Sequence, residues 1–113
     1  KRLYEIDINK SEISFLGTTE FIETSVKGVM DNLVKIDEII VNNLTNWKIG
    51  RLSYIDRAII RFASYELYYL DTPHEIVINE ALNITKKYSD EGDNKMVGFT
   101  NRVLDNIKKY LKK

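Results

Sequence analysis

A chain of 113 residues with a single proline, Pro73, and only five glycines has few places where a helix must stop. Proline removes a backbone donor and crowds the preceding turn, and glycine costs conformational entropy. Their scarcity therefore makes long helices the natural reading. The apolar residues agree, since they recur at spacings of three and four instead of alternating. Phe21, Ile22, Ser25, Val26, Val29, Met30 and Leu33 outline one helical face. A further helix is expected over residues 37–45, with Ile39, Ile40, Val41 and Leu44 as its apolar content, followed by a turn around Gly50.

The next segment opens at Ser53, where Asp56 three residues on resembles an N-cap pairing. It runs to about Leu70, and its apolar positions (Ile55, Ala58, Ile59, Ile60, Phe62, Ala63, Leu67) cover more than one stripe. That distribution marks a central helix packed on several sides. Thr72-Pro73-His74-Glu75 predicts a capping box, with Thr72 as cap, Pro73 in the first helical position and Glu75 closing it. The helix behind it carries Ile76, Val77, Ala81, Leu82, Ile84 and Tyr88. A polar turn at residues 90–94 leads to a last helix from about Lys95, with Phe99, Val103, Leu104, Ile107 and Leu111. At the other end, Leu3, Tyr4 and Ile6 fit a short helix, and residues 13–19 read as a connection. The chain opens in helical rhythm without a methionine, which reads as a first helix lacking its start. The expected fold is all-α, one domain over residues 1–113 with five to seven helices.

Composition narrows the function. Hydrophobic residues at 43% and charged residues at 30% describe a globular chain, not a disordered one. Seventeen basic and seventeen acidic side chains cancel, so any grip on nucleic acid requires a local patch or a partner's help. The absence of cysteine excludes disulfides and thiolate metal sites, and one histidine, His74, leaves little material for a zinc site or a catalytic triad. His74 itself reads as a surface residue. Without a glycine-rich phosphate loop or a nucleophile with a base, no enzyme and no cofactor are expected. No apolar run approaches the roughly 20 residues that span a bilayer, and a cytoplasmic location is expected.

Trp47, Arg51-Leu52, Asp56-Arg57-Ala58-Ile59-Ile60-Arg61, Ala63, Tyr65-Glu66-Leu67, Pro73 and Val77-Ile78-Asn79-Glu80-Ala81 follow one another in an order and spacing that resemble the NusB family. Lys86 and Asn101 with Val103-Leu104 continue the likeness. Leu3-Tyr4, Val26-Lys27-Gly28-Val29 and Ile36-Asp37-Glu38-Ile39-Ile40 extend it toward the N-terminus. The resemblance implies two helical bundles set against each other and a role without catalysis. It implies as partners the ribosomal protein NusE, a single-stranded boxA-type RNA in nascent ribosomal transcripts and, indirectly, other Nus factors and RNA polymerase. A homodimer is a further option. Two alternatives stand beside this reading: the NusB-like helper domain of a ribosomal RNA cytosine methyltransferase, and a structural or dimerising bundle without RNA binding.

Carried over by position, Tyr4 and Asp56 match the family's protein-partner surface. Lys1 and Arg2 stand where the family has an arginine-rich RNA-binding helix. The family's last motif, Phe-Val-Asn-Gly, falls either at Phe99-Thr100-Asn101-Arg102, with Arg in place of Gly, or at Lys95-Met96-Val97. This gives Lys95, Phe99 and Arg102 as RNA-contact candidates. Each has a plainer reading: Asp56 as a carboxylate favoured at a helix start, Phe99 as core, and the lysine-rich C-terminus as a complement to the helix dipole. Arg57 and Arg61, one turn apart in an apolar helix, are expected in an ion-pair network with Glu66 and Glu80. Asn79-Glu80 is expected to support the angle between bundles.

Overall fold

The computed structural model describes residues 19–44 and 48–112. The expected short helix near Leu3, the connection after Ile13, Trp47, and the candidate residues Lys1, Arg2 and Tyr4 lie outside the described residues. Five α-helices and one short 3-10 turn make up the rest: α1 (Thr19–Asp31), α2 (Leu33–Asn42), the turn Ile49–Arg51, α3 (Tyr54–Tyr69), α4 (His74–Tyr88) and α5 (Lys95–Tyr110). No strand occurs among the described residues, and no helix there is long and apolar enough to cross a membrane.

The first two helices divide earlier than the periodicity predicts. Leu33 opens α2 instead of closing α1. The cause is Asn32, whose side-chain amide donates to the Gly28 carbonyl at 2.8 Å while its backbone N–H reaches Gly28 and Val29. An asparagine that bonds backbone in this way competes with the helix ladder and ends it. Asn43 repeats the device at the end of α2, donating to the Ile39 carbonyl at 2.8 Å. Between these stops, Ile36, Ile39 and Ile40 form a buried stripe at the spacing a helix face demands.

α3 is the central helix, packing against all four others. Ser53 caps it as expected: its hydroxyl accepts from the Asp56 backbone N–H at 3.1 Å and donates to the Asp56 carboxylate at 2.6 Å. α4 departs from expectation. It begins at His74, with Pro73 in extended conformation at the cap position, and no side chain caps it. The Pro73 carbonyl takes the first helical bonds, from Ile76 and Val77, so the box of Thr72 and Glu75 does not form.

The core runs continuously from Val29 and the α2 isoleucines through Ile60, Ala63 and Leu67 of α3 to Val77 and Ala81 of α4 and Val103, Leu104 and Ile107 of α5. α1 and α2 lie on one side of α3, and α4 and α5, which pack extensively on each other, complete the other. Two hydroxyls, of Ser64 and Thr100, sit wholly inside without a hydrogen-bond partner among the described residues.

α1 and α3 come close together at Gly28. A Cβ there would fall 2.3 Å from the Tyr65 hydroxyl, so the phenol lies directly on the α1 backbone. Gly28→Ala is expected to force Tyr65 aside and cost ~1–3 kcal/mol, as overpacking a filled interior does. Chemical denaturation of the variant checks this, and an unchanged midpoint would mean the ring has room to move.

Candidate nucleic-acid interface

The outer face of α5 gathers basic side chains. Lys95 and Arg102 are both exposed and lie two turns apart on one side, ~10 Å along the axis. Lys109 continues the same side, also exposed, and Lys112 is exposed just past the end of the helix. Gly98 sits between Lys95 and Arg102, exposed, with nothing within 4 Å of where a Cβ would stand. The backbone there is open to close approach by a ligand. Phe99, at the edge of that face, turns inward: it is 8% exposed and belongs to the core cluster. Lys95 and Arg102 are thus brought together, while the ring between them in sequence anchors the helix from beneath.

Carboxylates temper this stripe at two places. Asp105 accepts from Lys109 at 3.0 Å and approaches Lys108 at 3.7 Å. The Lys109 hydrogen bond is the main reason its carboxyl stays below the usual range. Asp90, in the loop before α5, accepts from the backbone N–H groups of Gly92, Asn94, Met96 and Val97. Partial desolvation opposes its ionisation, yet these four donors together hold its carboxyl low. They include the free N–H groups at the start of α5, so the helix's own anion site is filled by Asp90. The loop reaches this geometry through Gly92 and Asn94, both at positive φ. The sequence marked the turn but not the cap, because the bonds span up to seven residues.

Asp56 faces inward at 4% exposure. One carboxylate oxygen takes the Ser53 hydroxyl and the other takes the Ser89 hydroxyl from the end of α4. It therefore ties the start of α3 to the end of α4, with half-exposed Arg57 beside it.

The expected arginine network is different from the one found. Arg61 pairs with Asp37 of α2, Nε at 2.8 Å and Nη2 at 2.9 Å on the two oxygens. This two-pronged bond staples α2 to α3. Glu66 and Glu80 receive no cation among the described residues. Burial, with the Glu80 charge adding, pushes the Glu66 carboxyl up to about 7, and burial alone raises Glu80. The sequence pointed to the wrong acids because it gives no sign that Asp37, 24 residues away, would be nearer.

Comparison with known proteins decides the family. A profile of the NusB family matches residues 3–109. The chain belongs to the NusB family. It is 48% identical to the transcription antitermination protein NusB of Clostridium botulinum over 94% of this chain and 74% of that protein. Against the NusB of Bacillus licheniformis the identity is 45%, over 96% of this chain and 89% of the relative. The solved structure of T. maritima NusB superposes with a TM-score of 0.72 at 38% identity, covering 81% of this chain and 66% of that one. The NusB-like segments read from the sequence meet in space: Val26-Lys27-Gly28-Val29 and Tyr65-Glu66-Leu67 touch at the Gly28–Tyr65 contact.

Glu66 carries a pH signature. Its folded-state pKa, about 7, lies above the ordinary 4.5, so its neutral form is favoured inside. The associated stability is present below pH 4.5 and is lost as pH rises toward 7. Glu66→Gln should therefore exceed the native chain in stability at pH 8 by ~1–2 kcal/mol, after discounting for solvent screening. The advantage should vanish below about pH 4. Thermal melts across that range check it; a pH-independent difference would show that Glu66 is fully solvated.

Proposed function

We propose that this chain is a transcription antitermination adaptor that, together with NusE, binds a boxA-type single-stranded RNA in nascent ribosomal transcripts. Through other Nus factors it then helps RNA polymerase resist termination. The observation that carries this reading is identity of 45–48%, across nearly the whole chain, to proteins named for that activity.

In this reading the chain performs no covalent chemistry, and its residues position and hold. Lys95 and Arg102 meet phosphates along the outer face of α5, with Gly98 letting the strand lie close. Lys1 and Arg2 add cations to the same task. Phe99 serves from beneath, its ring setting the seat of α5, and the bases stack elsewhere. Tyr4 and Asp56 belong to the NusE side. Asp56 acts there first by holding the junction of α3 and α4 through Ser53 and Ser89. Asp56→Asn is expected to weaken NusE binding with helicity retained by circular dichroism; undiminished affinity would remove Asp56 from that surface.

The direct test is titration of a fluorescent boxA-type RNA, with a scrambled control, against the protein with and without NusE. Sequence-specific binding that tightens with NusE supports the adaptor. Lys95→Glu with Arg102→Glu should weaken it at least tenfold. The pair should also flatten the dependence of log K on log salt by about 1.4, the loss of two phosphate contacts on a single strand. Failure of both RNA and NusE to bind would reduce the family relationship to one of fold.

A further inference from the structure

Three tyrosines remain in solvent where α2 begins and α3 and α5 end. Tyr68 is 39% exposed, Tyr69 37% and Tyr110 50%. They are held, not scattered. Tyr68 and Tyr69 meet edge to face with ring centres 4.6 Å apart, and Tyr69 leans on Tyr65 at 5.4 Å. Tyr65 is in turn fixed against Gly28. Tyr110 arrives from α5, and both its phenol and that of Tyr68 lie within electrostatic reach of the Lys35 ammonium.

The surroundings are cationic. Lys35, Lys109 and Lys112 stand at this end, against Glu38 and Asp105, which accept from Lys35 and Lys109. Tyr110 also continues α5 beyond Lys109, so the patch adjoins the end of the basic stripe, ~22 Å along the helix from Lys95. Tyrosine is an efficient contact residue for either RNA or protein, because it presents a rigid ring with few rotors. The lysines separate the two: protein interfaces are depleted in lysine, whereas single-stranded RNA sites combine aromatic platforms with lysine and arginine.

We infer that Tyr68, Tyr69 and Tyr110 with Lys35 form a stacking subsite for single-stranded RNA, receiving nucleotides that flank the element lying along α5. The rings take bases without regard to sequence, and the lysines take the backbone between them. The inference rests on the RNA-binding reading above and extends it to rings that none of the motif segments contains.

The test uses two fluorescein-labelled RNAs, a boxA-type element alone and the same element with six added uridines, placed at either end in turn. They are titrated against the protein with NusE present. An extension at one end should tighten binding about fivefold or more, as stacking of even one base does. Tyr68→Leu with Tyr110→Leu should remove that increment and leave affinity for the bare element unchanged. Because α3 carries the fold, Tyr110→Leu and Lys35→Gln are also measured singly, each expected to reduce the increment. Ultraviolet crosslinking of the native complex, read by mass spectrometry, should place extension nucleotides on the peptides holding Tyr68-Tyr69 or Tyr110. If the bare element binds but the extension adds nothing, or its increment survives the variants, the subsite is overturned and the adaptor reading stands. If the variants weaken NusE binding and not RNA, the patch is a protein contact and the inference is wrong. If the bare element itself fails to bind, both fall together.

Discussion

A helix enclosed by four others has little free surface for its polar side chains, and α3 is in that position. Each polar group it carries must find a partner inside the packing or pay for desolvation. Asp56 finds two serine hydroxyls, one from its own cap and one from the end of α4. Arg61 finds Asp37 across 24 residues of chain. Tyr65 keeps its phenol against a backbone that only a glycine leaves bare. Each contact joins α3 to a different neighbour, so together they fix how the α1–α2 pair and the α4–α5 pair sit about it. Glu66 finds no cation among the described residues, and the cost appears as a carboxyl that burial, with Glu80 adding, pushes up to about 7.

Under the proposed function, the same enclosure sends nucleic-acid contacts to the periphery. With net charge zero, attraction for RNA depends on how charge is distributed. α5 offers one side to α3 and α4 and leaves the other to solvent, and that outer side holds Lys95, Arg102 and Lys109. Asp90 occupies the backbone donors at the helix start, which in other folds would take a phosphate. In that reading, contacts on this helix come from side chains along its length. They form as flexible lysines and an arginine displace counter-ions condensed on the RNA, a mode that tolerates sequence variation and weakens with salt.

Local signals in the sequence were read well where the physics is local. The Ser53 cap, the central role of α3 and the polar turn before α5 all depend on residues within a few positions of each other. The capping box at Thr72 failed because Pro73 took the cap position in extended conformation and supplied its carbonyl in place of a side chain. The boundary at Asn32 was missed because apolar periodicity runs through it, and only the side-chain bond to Gly28 breaks the helix. The partner of Arg61 and the tie between Asp56 and Ser89 were beyond reach, since both join positions far apart in the chain. Of the RNA candidates, the exposed pair Lys95 and Arg102 shares a face as helical spacing requires. Phe99 lies near the edge of that face, where spacing alone does not decide between core and surface, and packing placed it inside.

The family motifs themselves follow from this arrangement. Gly28, Asp56, Arg61 and Tyr65 all lie in stretches that carry the NusB resemblance, and each makes an intramolecular contact that α3 depends on. A motif built from such residues reports the shape of the bundle more directly than the ligand it holds. Exposed positions such as Gly98 and Tyr110 carry fewer of those packing demands. They can change without unfolding the chain, so under the proposed function differences in RNA affinity among proteins of this shape should reside in them.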